Sequence, residues 1–276
     1  MILDTEGILE MFKKVERQFY IESFANALDR QFAKDFVYSG ESHIPVELVY
    51  VYSGNIEVVE DEKVYLMQSG DIIFHAPMEF HKIRSDKDTS PRVYNLSAII
   101  QGCVPENLYD GIFSLDIGER EEFSRIFSIT RSFLNDEESE YTGQECADAF
   151  TSFIMRICRS ANIKNRLSQD PRAIAFQKLV KTMNEEIYNN ISLETLAKLN
   201  FMSVSYVKLL FRHYTDISPK KYYANLRANE AARLVLKDVA IMDIAKRMNF
   251  SSQNYFSTFF KTHFGMTPME YKKNNK

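Results

Sequence analysis

Lys208, Gln253, Asn254 and Thr258 have side chains that can read the edge of a base pair, and they fall in two segments about 49 residues apart that repeat one pattern. A lysine can bond guanine O6 and N7, an amide can bond adenine N6 and N7, and a threonine methyl can touch the thymine methyl. In the repeat, Leu196-Ala197 aligns with Ile244-Ala245, and Phe211-Arg212 aligns with Phe260-Lys261. The small alanine lets one helix cross close to the next, the arrangement of a helix-turn-helix, whose second helix lies in the major groove. The exposed positions of those second helices are Ser203, Val204, Ser205, Lys208, Leu209 and Arg212 in the first unit. In the second they are Ser252, Gln253, Asn254, Ser257, Thr258 and Lys261. Arg212, Lys261 and His213 suit phosphates, which position without specifying. Two units in one chain imply two adjacent major-groove segments of double-stranded DNA, about 10 bp apart.

A second constellation lies near the other end. His43, Glu47, His81 and Tyr94, with Tyr38 and Arg84 as further candidates, combine imidazole, carboxylate and aromatic groups. That mixture suits a polyhydroxyl ligand such as a sugar. Glu41, His43, Glu47 and His81 also offer the N/O donors that a divalent metal takes. His75 reads as an ordinary buried histidine. No GxSxG, P-loop, GxGxxG or HExxH motif is present, so no catalytic residue and no cofactor are expected.

The elements that must hold these groups follow from periodicity. Val46–Tyr52, Ile56–Val59, Val64–Leu66, Ile72–Phe74 and Val93–Ile100 are short strands separated by turn residues, the signature of a small barrel or sandwich. Glu121–Leu134 and Gln144–Ser160 carry apolar residues spaced by threes and fours, and are amphipathic helices joined by the polar turn Asn135-Asp136-Glu137-Glu138-Ser139. Their apolar stripe is the reason to expect a homodimer. A polar linker, Asn162 to Pro171, ends in Asp-Pro, which starts a helix. Beyond it the spacing predicts seven helices, at about 172–188, 192–199, 203–213, 219–236, 241–248, 252–263 and 268–273. The fold class is therefore α+β and multidomain: residues 1–118 form a β-barrel, 119–169 the helical pair and linker, and 170–276 an all-α unit with two helix-turn-helix units joined by a long helix.

Charge divides the same way. Residues 1–169 hold 17 Lys and Arg against 29 Asp and Glu, whereas residues 170–276 hold 17 against 9. A basic C-terminal half suits a polyanion. Cys103, Cys146 and Cys158 form no CxxC pair and read as small buried residues in a reducing compartment. Met1 to Glu6 lacks the pattern of a secretory signal, and no apolar run reaches membrane-spanning length, so the expected location is cytoplasmic.

The C-terminal residues resemble the AraC/XylS family of bacterial transcription regulators. The likeness runs through Ile191-Ser192-Leu193, Tyr206-Val207, Leu210-Phe211-Arg212, Ile217-Ser218-Pro219, Ala231-Ala232, Ile244-Ala245, Asn249-Phe250, Tyr255-Phe256-Ser257 and Gly265-Met266-Thr267-Pro268. Family members usually carry glycine at each inter-helix turn. Here Phe201 and Asn249 stand there, so the first turn is either strained or shifted toward Asn200. Leu209 replaces the arginine of many relatives. The N-terminal half is similar to the cupin-like sensor of the same family: Glu41, His43, Glu47 and Gly54 follow its first motif, with Glu41 in place of histidine, and Gly70, Pro77 and His81 follow its second with one residue of irregularity. The resemblance implies a ligand-responsive activator that is not an enzyme, with a small-molecule effector bound by His43, Glu47, His81 and Tyr94, no metal, and RNA polymerase as a partner. A cupin metalloenzyme fused to a DNA-binding module is the alternative.

Overall fold

Alternating apolar side chains build two antiparallel sheets in the computed structural model, which describes residues 16–38, 40–61, 63–86, 88–135, 142–160 and 162–274. The larger sheet has the order β1 (Phe19–Gln31), β7 (Arg92–Gly102), β2 (Val46–Ser53), β5 (Asp71–His75), β8 (Ile112–Ser114) and β9 (Ile163–Lys164). The smaller has the order β4 (Lys63–Gln68), β3 (Asn55–Glu60) and β6 (His81–Ser85). Val49, Val51, Ile73 and Val93 of the larger sheet pack on Ile56, Val58, Tyr65, Met67 and Ile83 of the smaller. The intervening residues Leu48, Tyr50, Ile72, Phe74 and Leu96 belong to a separate core on the opposite face.

The expected closed barrel is therefore corrected to two facing sheets whose ladders do not join. The edges of the smaller sheet are covered by other segments instead. Val37 bridges Arg84 and Glu41 bridges His81 on one edge, and Leu167 bridges Tyr65 on the other. Covering an edge satisfies its amides without closure.

The opposite face of the larger sheet is covered by α1 (Ile117–Leu134) and α2 (Gly143–Ser160). A reciprocal cap between Asp116 and Glu119 starts α1. Phe123, Ile126, Phe127, Phe150, Phe153, Ile154 and Ile157 are buried against the strands. The stripe that suggested a partner copy is thus occupied within the chain. The turn residues 136–139 and the Met1–Glu6 start lie outside the described residues. Cys146 and Cys158 are buried, but Cys103 is exposed, contrary to expectation, because it follows the end of β7.

The stretch read as a linker is held against the sheets. Arg166 pairs with the buried Asp71 at 2.6 Å, and Ser168 donates its backbone N–H to Val64. Asp170 then caps α3 (Pro171–Glu185), with Pro171 in its first turn. The helices α4 (Leu193–Leu199), α5 (Val204–Tyr214), α6 (Pro219–Leu236), α7 (Ile241–Arg247), α8 (Gln253–Phe264) and α9 (Pro268–Asn274) follow where the spacing places them. Two cores lie on either side of α6. One contains Phe176, Leu196, Phe211 and Tyr222, together with Val59, Val64 and Phe80 of the sheets. The other contains Ala231, Val235, Ile244, Phe256 and Phe260. Among the described residues, no helix is long and apolar enough to cross a membrane.

Candidate nucleic-acid interface and effector site

The two helix-turn-helix units repeat at the level of single hydrogen bonds. Met202 donates to Ala197 and Phe250 to Ala245, each at 2.9 Å; Phe201 donates to Lys198 and Asn249 to Lys246, each at 3.1 Å. Phe201 and Asn249 both take left-handed backbone, with φ of 56° and 55°. The first turn is therefore strained at Phe201 and not shifted to Asn200, whose φ is −99°. A non-glycine residue in this region costs about 1–2 kcal/mol.

Serine opens the second helix of both units. Ser203 accepts from Tyr206 N, and Ser252 accepts from Tyr255 N, each at 3.1 Å. Ser192 caps α4 in the same way. Capping leaves the first-turn amides pointing outward, where a phosphate can meet them.

In α5, Val207, Leu210 and Phe211 are buried while Ser205, Lys208, Leu209 and Arg212 are exposed and Val204 is half-buried. In α8, Phe256 and Phe260 are buried while Gln253, Asn254, Thr258 and Lys261 are exposed and Ser257 is half-buried. Thr258 donates its hydroxyl to Asn254 O, which leaves its methyl for apolar contact. Tyr255 is 60% exposed, one turn from the Ser252 cap and beside the exposed Gln253 and Asn254.

His213, expected at a phosphate, is turned toward the sheets. Arg84 donates to His213 Nε2 at 2.7 Å and to its carbonyl at 2.8 Å, and Lys82 reaches Asp216 at 2.6 Å. Burial, then the charges of Arg84 and Lys82, hold the His213 imidazole down to about 4. Arg84, taken from the sequence as an effector-pocket candidate, therefore serves this contact. Leu209 and Arg212 line a cleft of about 560 Å³ beside Val37, Lys82 and Arg84, so the C-terminal half of α5 lies next to the sheets.

Between the sheets, His43 donates to Glu47 at 2.9 Å, and its other ring nitrogen donates to Pro45 O at 2.9 Å. The Glu47 hydrogen bond raises the His43 pKa against the opposing effect of burial. Burial opposes ionisation of Glu47, but the His43 hydrogen bond and the surrounding imidazoles outweigh it and hold the carboxyl well below its usual range. Asn95 and Ser97 also donate to Glu47. Burial, then the neighbouring His75, holds His81 down to about 3, so it is neutral, and its Nε2 has no hydrogen-bond partner 3.6 Å from Glu47. A cavity of about 90 Å³ is lined by Asn26, Tyr38, Glu41, Glu47 and Asn95 among others.

Tyr94 is corrected. It pairs with Tyr50 in the β2–β7 ladder and stacks on Phe127 of α1 at 4.4 Å, on the face away from Glu47. Asn95, one residue later, faces inward, and a shift by one residue exchanges the two faces of a strand.

Glu41, His43, Glu47 and His81 each place one ligand atom within 4.8 Å of the others. The unpartnered His81 Nε2 beside a carboxylate fits a metal there chemically. A second group, Glu60, His75 and Glu79, converges just as closely. No spacing signalled it, because its members come from β3, β5 and a turn before β6. Burial, then the charges of Glu60 and Asp61, push the Glu79 carboxyl up to about 9.

A family model described as a helix-turn-helix domain matches residues 196–274. The probable transcription factor PqrA of Proteus vulgaris is 31% identical over 99 residues, 35% of this chain and 81% of that protein. The chain belongs to the AraC/XylS family of transcription regulators. The transcriptional activator RhaR of Mannheimia succiniciproducens is 23% identical over 82% of this regulator and 84% of its own length. The ToxT structure from Vibrio cholerae covers 95% of this regulator and 99% of its own chain, at 15% identity and a TM-score of 0.38. In this AraC/XylS regulator the matched helix-turn-helix residues lie in the helical half that follows the N-terminal sheets.

Proposed function

We propose that this regulator is a ligand-responsive activator of a metabolic operon, working in the cytoplasm as a homodimer and contacting RNA polymerase. The DNA-binding part rests on one observation: two serine-capped helices, α5 and α8, each bury one face and expose the polar residues that can read bases. Lys208, Gln253 and Asn254 read base edges, while Arg212 and Lys261 neutralise phosphates. RhaR, named as an activator, supports the direction of control.

The effector of this reading is a polyhydroxyl molecule held between the cupin-like sheets by His43, Glu47, His81 and Asn95. A cavity of about 90 Å³ is small against ordinary ligand pockets of roughly 300–1,000 Å³, so a sugar must part the strands to enter. Strand β6 carries both the effector group His81 and, at Lys82 and Arg84, the grip on α5. An effector that binds the parted form better than the closed one releases Leu209 and Arg212 to the groove. The working division is residues 1–118 for sensing, 119–169 for the helical pair, and 170–276 for DNA.

Selection of duplexes from a random pool with the full chain, followed by affinity measurements with a panel of sugars, tests both parts. A bipartite site with half-sites about 10 bp apart is expected. Failure to enrich any sequence refutes the DNA part, and indifference of affinity to every sugar refutes the effector class. The metalloenzyme alternative would gain from turnover that depends on Glu41, His43, Glu47 and His81.

A further inference from the structure

We propose that Glu60, His75 and Glu79 form a binding site for a divalent first-row transition ion, adjoining the effector groups through His75, whose ring stacks on His81 at 4.4 Å, but sharing no ligand with them. His75 is 0% exposed and Glu60 1%. Glu60 spends one carboxylate oxygen on His75 Nδ1 at 3.0 Å, and its other oxygen has no partner. His75 Nε2 has none either. Buried polar atoms are ordinarily paired, and unpaired ones call for an explanation such as an ion. Glu79 has one oxygen fixed by the Ala76 backbone N–H at 2.8 Å, which holds the carboxylate in place as outer hydrogen bonds do for metal ligands. Two carboxyl groups converge on one imidazole. Two oxygens with one imidazole nitrogen match zinc, manganese or ferrous iron better than calcium.

The position also gives the ion a route to the DNA-binding half. Asp61, next to Glu60, accepts from Tyr222 of α6 through its carbonyl at 3.0 Å. Met78, next to Glu79, accepts from Asn229 of α6 through its carbonyl at 3.0 Å. Asp61 and Met78 are both left-handed, with φ of 39° and 65°, so the two turns have little freedom to absorb a displaced ligand. An ion that ties Glu60 to Glu79 therefore fixes both carbonyls that hold α6. The effect on DNA affinity rests on the regulator reading above; ion binding does not.

The test titrates Mn2+ and Zn2+ into the chelator-stripped full chain and into Glu60→Gln, Glu79→Gln and His43→Asn. An ion is expected whose binding is weakened at least about tenfold by either glutamine variant and is retained in His43→Asn. Pulsed EPR of the Mn2+-loaded wild type needs no variant and should show a single ligated imidazole nitrogen. No binding, two ligated imidazoles, or loss of binding in His43→Asn would each overturn the site. Hydrogen exchange then reports the coupling: added ion should slow exchange at residues 61, 78 and 219–229 by severalfold. Binding without that slowing removes the route to α6, and DNA selection remains an independent check on the regulator reading.

Discussion

At the scale of single residues, Asn254 and Phe201 separate function from stability. Asn254 is exposed on α8 and makes no packing contribution that its loss would disturb. Asn254→Ala should cost about 1–3 kcal/mol at one operator position and little at the others, which affinities for single-base operator variants will measure. Unchanged preference would mean that another face of α8 enters the groove. Phe201 is 92% exposed and holds left-handed backbone, with Lys178 lying over its ring. Phe201→Gly removes the Cβ clash and should stabilise the fold by about 1 kcal/mol, visible as a higher thermal midpoint. A fall in midpoint would show that the Lys178 contact outweighs the strain.

For the elements, the caps govern how firmly each reading helix starts. Ser203→Ala and Ser252→Ala each remove one hydrogen bond to a first-turn amide and should cost about 0.5–2 kcal/mol in denaturant unfolding. Both should also weaken DNA binding, since the frayed turn carries Val204, Ser205, Gln253 and Asn254. Ala240 stands where a cap would serve α7 and makes no side-chain bond, so Ala240→Ser should stabilise by a few tenths to about 1 kcal/mol. Covering the outer sheet face with α1 and α2 explains why the apolar stripe persists without requiring a second copy.

For the whole molecule, the contact between β6 and the end of α5 is the part that responds to pH. Arg84 can donate to His213 Nε2 only while that nitrogen is unprotonated. The imidazole is held down to about 4, below its ordinary value of 6.5, so the unfolded chain binds the proton more readily. The stability this contact contributes is complete above about pH 6.5 and is lost as pH falls toward 4. Protection factors of residues 82–85 and 213–216, taken relative to intrinsic exchange at each pH, should therefore fall over that window, and Arg84→Ala should abolish much of that pH dependence. Protection that stays constant from pH 7 to pH 4.5 would mean that the imidazole does not titrate there.

The sequence by itself determined the helical half. Apolar spacing, Asp170-Pro171, Ser192, Ser203 and the Ala197/Ala245 pair are local signals, and helices answer to neighbours three and four residues away. It also located β2, β3, β4, β5 and β7, because alternation is local, but not β1, β6, β8 or β9. Which residues share a face across strands was decided by register: Tyr94 went outward and Asn95 inward on a one-residue difference. Closure of the sheets, the seating of the linker on Asp71, and the turn of His213 toward Arg84 depend on contacts more than forty residues apart in sequence. The meeting of Glu60, His75 and Glu79 spans a shorter stretch of sequence but is also decided by packing. Three side chains on β3, β5 and the turn before β6 converge only once two sheets pack face to face, and no spacing along the chain encodes that distance.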